Sequence, residues 1–267
     1  MEVVIERAVE RVIAAMRDNL GEQLTVDDMA RTAMFSKFHF TRIFRRATGV
    51  SPGRFLSAMR LQRAKQLLVS TTMNVADISV QVGYNSVGTF SSRFTRSVGL
   101  APTAYRRLGG FAPHIGAGGE PRASSAACVS GRILMPPDAR GGLIFVGLFR
   151  ERVPEGRPAQ CAILPGPGPF VLNKVPRGSW YLLAHSIAGD PEHLAQLPFP
   201  AATAVSVGTL GPILVKDDQI IADVDLCLSP MRTLDPPVLL ALMDVRRLAV
   251  RSLDAVRRPA WALPLDG

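Results

Sequence analysis

The sequence predicts a multidomain α + β chain. An all-α unit carries one helical pattern twice, a flexible linker follows, and a β-sandwich-like domain with a C-terminal helix completes it. Three observations predict this. A pattern at Phe40, Phe44, Arg46, Gly49, Pro52 and Phe55 returns fifty residues later at Phe90, Phe94, Arg96, Gly99, Pro102 and Tyr105. Composition then shifts to Gly, Ser and Pro between 109 and 142. Short apolar runs bounded by Gly or Pro follow. Six positions of matching type at one offset mark an internal repeat.

Charge sharpens the division. Residues 1–108 hold 16 Lys and Arg against 8 Asp and Glu, whereas the remainder holds 15 against 14. Between 31 and 107 the one acidic residue is Asp77, against 13 basic ones. So one-sided a field suits a phosphate backbone, although a merely solvated basic surface has the same composition. Cys128, Cys161 and Cys227 are odd in number and lack a CxxC spacing. That argues against a disulfide framework or a structural zinc site, and for free thiols in a reducing cytoplasm. Met1 to Arg17 is charged and helical in period, unlike a leader, and no apolar run reaches a membrane-spanning length.

The elements follow in order. Val4, Ile5, Ala8, Val9, Val12, Ile13 and Met16 space an amphipathic packing helix over 3–19. Thr25 and Asp28 form a capping box that opens a short helix, broken near Ala33-Met34. Ser36 caps a longer basic helix that Gly49 closes, with Phe40, Ile43, Phe44 and Ala47 as its buried stripe. A short helix, a tight turn and a longer basic helix is the helix-turn-helix pattern, though a bland helical hairpin shares its periodicity. Ser51-Pro52 starts a linking helix to about Val69, roughly 27 Å at 1.5 Å per residue. That length suits two recognition helices in successive major grooves. The second copy starts at Asn74 and Asp77, turns at Gly83-Tyr84-Asn85, and is capped by Ser86. Phe90, Phe94 and Val98 form its stripe, Gly99 ends it, and a short basic helix runs from Pro102 to Arg107.

These residues resemble the AraC/XylS-type DNA-binding domain of bacterial transcription regulators. The resemblance rests on Gly83-Tyr84-Asn85-Ser86, Phe90-Ser91-Ser92-Arg93-Phe94, Gly99-Leu100-Ala101-Pro102 and Tyr105-Arg106-Arg107, with Leu61 to Ala64 and Leu67-Leu68 in the linking helix. It covers about residues 5–108. It implies a double helix-turn-helix domain whose two recognition helices enter adjacent major grooves of bent double-stranded DNA. Matching positions assign base contact to Phe38, Thr41 and Arg42 in the first helix, with Arg42 on a guanine edge. In the second helix they assign it to Val87, Gly88, Ser91 and Ser92. Val87 and Gly88 depart from the polar residues often found there, so this helix reads shape, methyl groups and phosphates more than base edges. Ser36, Lys37, Arg45, Arg46, Ser86, Thr89, Arg93 and Arg96 are the expected phosphate contacts. His39, between two Phe residues, fits packing or a phosphate-facing position better than metal ligation.

In the second half, Leu143–Phe149, Pro158–Leu164, Phe170–Val175, Trp180–Ile187, Ala204–Val207, Ile213–Val215 and Ile220–Leu228 read as strands of a sandwich or barrel. Gly147-Leu148-Phe149, Gly156-Arg157-Pro158-Ala159, Gly168-Pro169-Phe170 and Val175 to Tyr181 resemble a transthyretin-like or carboxypeptidase-regulatory β-sandwich. Asp235-Pro236-Pro237 opens a helix to about Arg258 that packs on either half or forms a dimer contact. Cys161, Cys227, His185 and His193 carry no catalytic motif. Asp217, Asp218, Asp223 and Asp225 read as the polar face of a strand and its turn rather than as a metal site.

The expected organisation is a DNA-binding domain at 1–108, a linker at 109–142, a sensing or oligomerisation domain at 143–258 and a tail at 259–267. The expected function is that of a cytoplasmic bacterial transcription regulator, with no catalytic residues, metal or cofactor. The resemblance adds RNA polymerase as a partner, and leaves a small-molecule effector and a homodimer open. A DNA reader placed first is the less usual order for such regulators. The competing reading is a small-molecule or carbohydrate binding module tethered to DNA.

Overall fold

A computed structural model describes residues 2–110, 127–136, 142–187 and 205–239. Seven helices come first: α1 (Glu2–Asp18), α2 (Val26–Ala33), α3 (Lys37–Thr48), α4 (Pro52–Ser70), α5 (Val75–Gln81), α6 (Val87–Val98) and α7 (Pro102–Arg107). The amphipathic stripe of α1 buries Ala8, Val9, Val12, Ile13 and Met16, while Val4 stays exposed. The capping box of α2 is complete. Thr25 Oγ1 accepts from the Asp28 amide, and Asp28 Oδ2 accepts from the Thr25 amide at 2.9 Å. The Thr25 hydroxyl, which donates to Asp28 Oδ2 at 2.6 Å, and the Thr25 amide, with Arg31 nearby, hold the Asp28 carboxyl below the usual carboxylate range. Asn74 caps α5 in a similar way, its Oδ1 accepting from the Asp77 amide at 2.8 Å.

The repeat is physical as well as written. The turn after α2 puts Met34 at φ 60, and the turn after α5 puts Gly83 at φ 83. The Phe35 amide donates to Ala30 O at 3.0 Å, and the Tyr84 amide to Ser79 O at 2.9 Å, an offset of 49. One extra residue in the second turn then shifts the copies to an offset of 50, so that Ser36 matches Ser86 and Gly49 matches Gly99. Ser86 Oγ accepts from the Thr89 amide at 3.4 Å, whereas Ser36 makes no side-chain cap bond. Each copy has an aromatic chain from recognition helix to next helix. Phe40, Phe44 and Phe55 have centroids 5.5 Å apart at each step. Phe90, Phe94 and Tyr105 have steps of 5.6 and 5.5 Å. Edge-on pairs at such distances add attraction beyond area burial.

Helix α4 links the copies. Its 19 residues extend about 28 Å. Phe55, Leu56, Ala58, Met59, Leu61, Ala64, Leu67 and Leu68 are buried along it, which wraps apolar contact round the helix because both modules pack on it. Arg60 is half-buried and spends its guanidinium on Leu20 O and Glu22 O, tying α4 to the loop after α1. Burial pulls its pKa down from the usual arginine value.

The second half is two packed sheets. Its strands are β1 (Cys128–Leu134), β2 (Ile144–Phe149), β3 (Cys161–Leu164), β4 (Gly168–Leu172), β5 (Gly178–Ile187), β6 (Val205–Val215), β7 (Ile220–Ile221), β8 (Leu226–Cys227) and β9 (Ser229–Pro230). One sheet runs β4-β1-β7, with β8 also on β1, and the other runs β3-β2-β5-β6-β9. Val129, Ile133, Phe170 and Leu172 from the first meet Ile144, Val146, Leu148, Leu182 and Ala184 from the second in one core. The sandwich expectation is met, with three differences in detail. Strand β1 lies within 109–142, the stretch expected to be a linker. The Ala204–Val207 and Ile213–Val215 runs join as one strand, β6. The Ile220–Leu228 run splits into β7 and β8 at Asp223, whose φ is 58. The expected helix from Asp235 has no helical turn through Leu239, and its remainder, like the tail at 259–267, lies outside the described residues.

The halves touch. Val153, Leu234 and Leu239 belong to the apolar core of the helices, and Lys65 Nζ donates to Val238 O at 3.3 Å.

Candidate nucleic-acid interface

Recognition helices are amphipathic by necessity: one face must be held by the core so that the other can be offered to DNA. In α3, Phe40, Ile43 and Phe44 are buried, while Lys37, Phe38, Arg42, Arg45 and Arg46 are exposed. Phe38 is 88% exposed, beside Phe40 at 0%. Thr41 is half-buried and its hydroxyl donates to Lys37 O at 2.8 Å. Lys37 also meets Asp27 at 2.8 Å, an exposed pair that solvent screens. Ser36 is exposed. His39 is exposed and stacks on Phe35 at 4.9 Å.

In α6, Phe90, Phe94, Ser97 and Val98 are buried. Val87, Gly88, Thr89, Ser92 and Arg96 are exposed, as is Ser86 at the cap, and Ser91 is half-buried. A Cβ on Gly88 would meet only Ser86 Oγ, at 3.6 Å, so the backbone there is open to close approach. The two faces differ chemically: α3 offers guanidinium, ammonium and aromatic groups, and α6 offers small hydroxyls, one valine, bare backbone and, in its last turn, Arg96.

Arg93 is placed differently from the other expected phosphate contacts. Its guanidinium faces back to α4, where Nε lies 3.4 Å from Ser57 Oγ and Nη2 lies 3.7 Å from Glu155 Oε2. Further residues outside the expected contacts complete this cluster. Ser97 donates to Glu155 Oε2 at 2.8 Å. Arg54 on α4 pairs with Glu155 at 2.6 Å and with Glu151 at 3.0 Å. Their partners lie 58 and 101 residues away in sequence, so no local pattern announces them.

Two acidic residues of the sheet domain have partners within it. Asp225 Oδ1 accepts from the Arg132 amide at 3.0 Å, and Asp217 faces Arg177 at 3.5 Å. Among the described residues no group of three or more His, Cys, Asp or Glu is placed to hold a metal ion. Cys161 is partly buried, which pushes its thiol up, whereas Cys227 is exposed. Among the described residues no helix is long and apolar enough to cross a membrane.

Comparison with known proteins places the helical half. A family model described as "Helix-turn-helix domain" matches residues 29–108. The lactose operon transcription activator of Staphylococcus xylosus is 29% identical over 103 residues, covering 39% of this chain and 37% of that protein. The TetD protein of transposon Tn10 from Escherichia coli is 30% identical over 99 residues, covering 37% of this chain and 72% of that protein. A solved AraC-type DNA-binding domain-containing regulator from Chromobacterium violaceum is 27% identical, with a TM-score of 0.37, covering 39% of this chain and 92% of that one. The chain thus spans little more than a third of the length of the lactose operon activator. With tandem helix-turn-helix units at its N-terminal end and a β-sheet domain after them, the chain belongs to the AraC/XylS-type family of DNA-binding transcription regulators.

Proposed function

We propose that this protein is a sequence-specific regulator that reads a site of about two helical turns through α3 and α6. The observation that carries the reading is the doubled geometry. Two copies of one aromatic-anchored recognition helix are joined by a single α4 of about 28 Å, a rigid spacer that both copies pack on. Lys37, Arg45, Arg46 and Arg96 neutralise phosphates on either side of the base-reading positions, with Ser36, Ser86 and Thr89 as neutral donors. Phe38, Thr41 and Arg42 supply direct readout in the first groove. Val87, Gly88, Ser91 and Ser92 supply close approach, methyl contact and hydroxyl bonding in the second. Arg93 serves the fold more than the phosphate backbone. The sheet domain senses a small-molecule effector or brings two copies together, and the regulator acts in the cytoplasm on RNA polymerase at its promoter.

Arg42 is the test residue. Arg42→Ala should weaken binding to the preferred site by about 1–3 kcal/mol and relax the preference at one base pair. Titrations against the preferred site and its single-base variants check this at fixed salt. Equal losses on every sequence would reduce Arg42 to a phosphate contact.

A further inference from the structure

We propose that Glu155 is a positioning residue for DNA reading: its carboxylate braces the second recognition helix against the linking helix, and so sets the spacing at which the two helices meet the duplex. This rests on the DNA-reading function proposed above. The carboxylate sits where three elements converge. Oε1 takes the Arg54 guanidinium from α4 at 2.6 Å. Oε2 takes the Ser97 hydroxyl from α6 at 2.8 Å, with the Arg93 guanidinium at 3.7 Å. The Glu155 side chain is only 15% exposed, so this is a shielded cluster and not a surface pair.

The loop that carries Glu155 is itself seated. Val153, two residues earlier, is 1% exposed within the helical core. The Gly156 amide donates to Ser97 O at 2.7 Å, so backbone and side chain grip the same residue of α6. Gly156 has φ +73, and a Cβ there would lie 3.1 Å from Arg96 O, so the loop presses on the helix. The Leu239 amide donates to Pro154 O at 3.1 Å and holds the loop from its other side.

Geometry excludes simple blockade. At 100° per residue, Arg93 and Ser97 lie roughly 150–170° round α6 from the centre of the positions at 87, 88, 91 and 92. Glu155 therefore holds the back of the helix and leaves its reading face open. A carboxylate bonded to α4 through Arg54 and to α6 through Ser97 and Arg93 resists rotation of α6 about α4. Acidic groups are otherwise scarce in this region, since Asp77 is the one acid between 31 and 107. The sheet domain supplies the missing counter-charge through Glu151 and Glu155, and any movement of the β2–β3 loop reaches α6 directly.

The experiment uses the full chain and a library of duplexes in which the two half-sites are separated by different numbers of base pairs. Glu155→Ala should lower the discrimination between the best spacing and its neighbours by about threefold or more. The base preferences within each half-site should stay as in the native protein. Arg54→Met, which removes the other end of the brace, should broaden the spacing profile in the same way, and Glu155→Gln, which keeps a bond to Ser97, should fall between. Thermal melting identifies which variants are folded, and any folded one of the three suffices. An unchanged spacing profile in a folded variant overturns the proposal, as does an equal loss at every spacing. If the native chain itself selects no site, the DNA-reading function fails first and the brace with it.

Discussion

Phe94→Ala should destabilise the helical unit by about 3–5 kcal/mol, a large part of what a domain of this size possesses. Phe94 is 0% exposed, and its ring lies 5.6 Å from Phe90 and 5.5 Å from Tyr105. It is the middle link between the second recognition helix and α7. Removing it leaves a cavity bounded by two aromatic rings that cannot close on it without moving a helix. Urea unfolding followed by circular dichroism measures the loss. The repeat makes the prediction stricter. Phe44 holds the equivalent place between Phe40 and Phe55, at 5.5 Å from each, so Phe44→Ala should cost a similar amount. A loss under about 1 kcal/mol for either would mean that the aromatic chains do not anchor the recognition helices.

Gly83→Ala should cost about 2–4 kcal/mol, from two sources that act together. Gly83 has φ +83, a left-handed conformation that disfavours any Cβ. The site is also full. A Cβ would stand 2.4 Å from Leu20 O and 2.6 Å from the Arg60 guanidinium. Leu20 O is backbone, and Arg60 is itself bound to Leu20 O and Glu22 O, so neither can retreat cheaply. The substitution should lower the melting temperature without altering the base preferences of whatever folded protein remains. An unchanged melting temperature would show that the second turn tolerates rearrangement. Met34 shows that the conformation alone is bearable, since it holds φ 60 and is 85% exposed. Space separates the two cases.

The helical half was legible because its signals are local. Caps, closing glycines and buried stripes lie within a few residues of one another, and the second copy checks the first. The sheet domain was harder to read where glycine served packing rather than a loop. Strand β1 reads as part of a linker because it lies within the Gly-, Ser- and Pro-rich stretch of 109–142, and its own Ser130-Gly131 does nothing to set it apart. Gly131 is there because a Cβ would stand 2.2 Å from Val224 O, where the next segment crosses the strand. Strand β6 reads as two pieces because Gly208 and Gly211 divide it. A Cβ on Gly208 would approach Leu228 and Cys227 O, and one on Gly211 would lie 2.9 Å from Trp180 O, beside the register shift between Trp180 and Leu182. These glycines relieve contacts between segments distant in sequence, and no local pattern carries that information.

At the interface the division is similar. The exposed positions of α3 and α6 follow from helical periodicity, because the buried stripe fixes the opposite face. Arg93 shows where residue type alone misleads. Its place in a basic helix suggests a phosphate contact, but helical spacing puts it on the back of α6, where it faces Glu155 of the sheet domain at 3.7 Å.

Site selection by the full chain from random duplexes at fixed salt measures whether α3 and α6 read DNA together. One motif of about two helical turns should be enriched, with two half-sites of which the first is the more sharply defined. Enrichment of nothing, or of a single half-site with no second one at fixed spacing, would contradict the reading of α3 and α6 as a paired DNA reader.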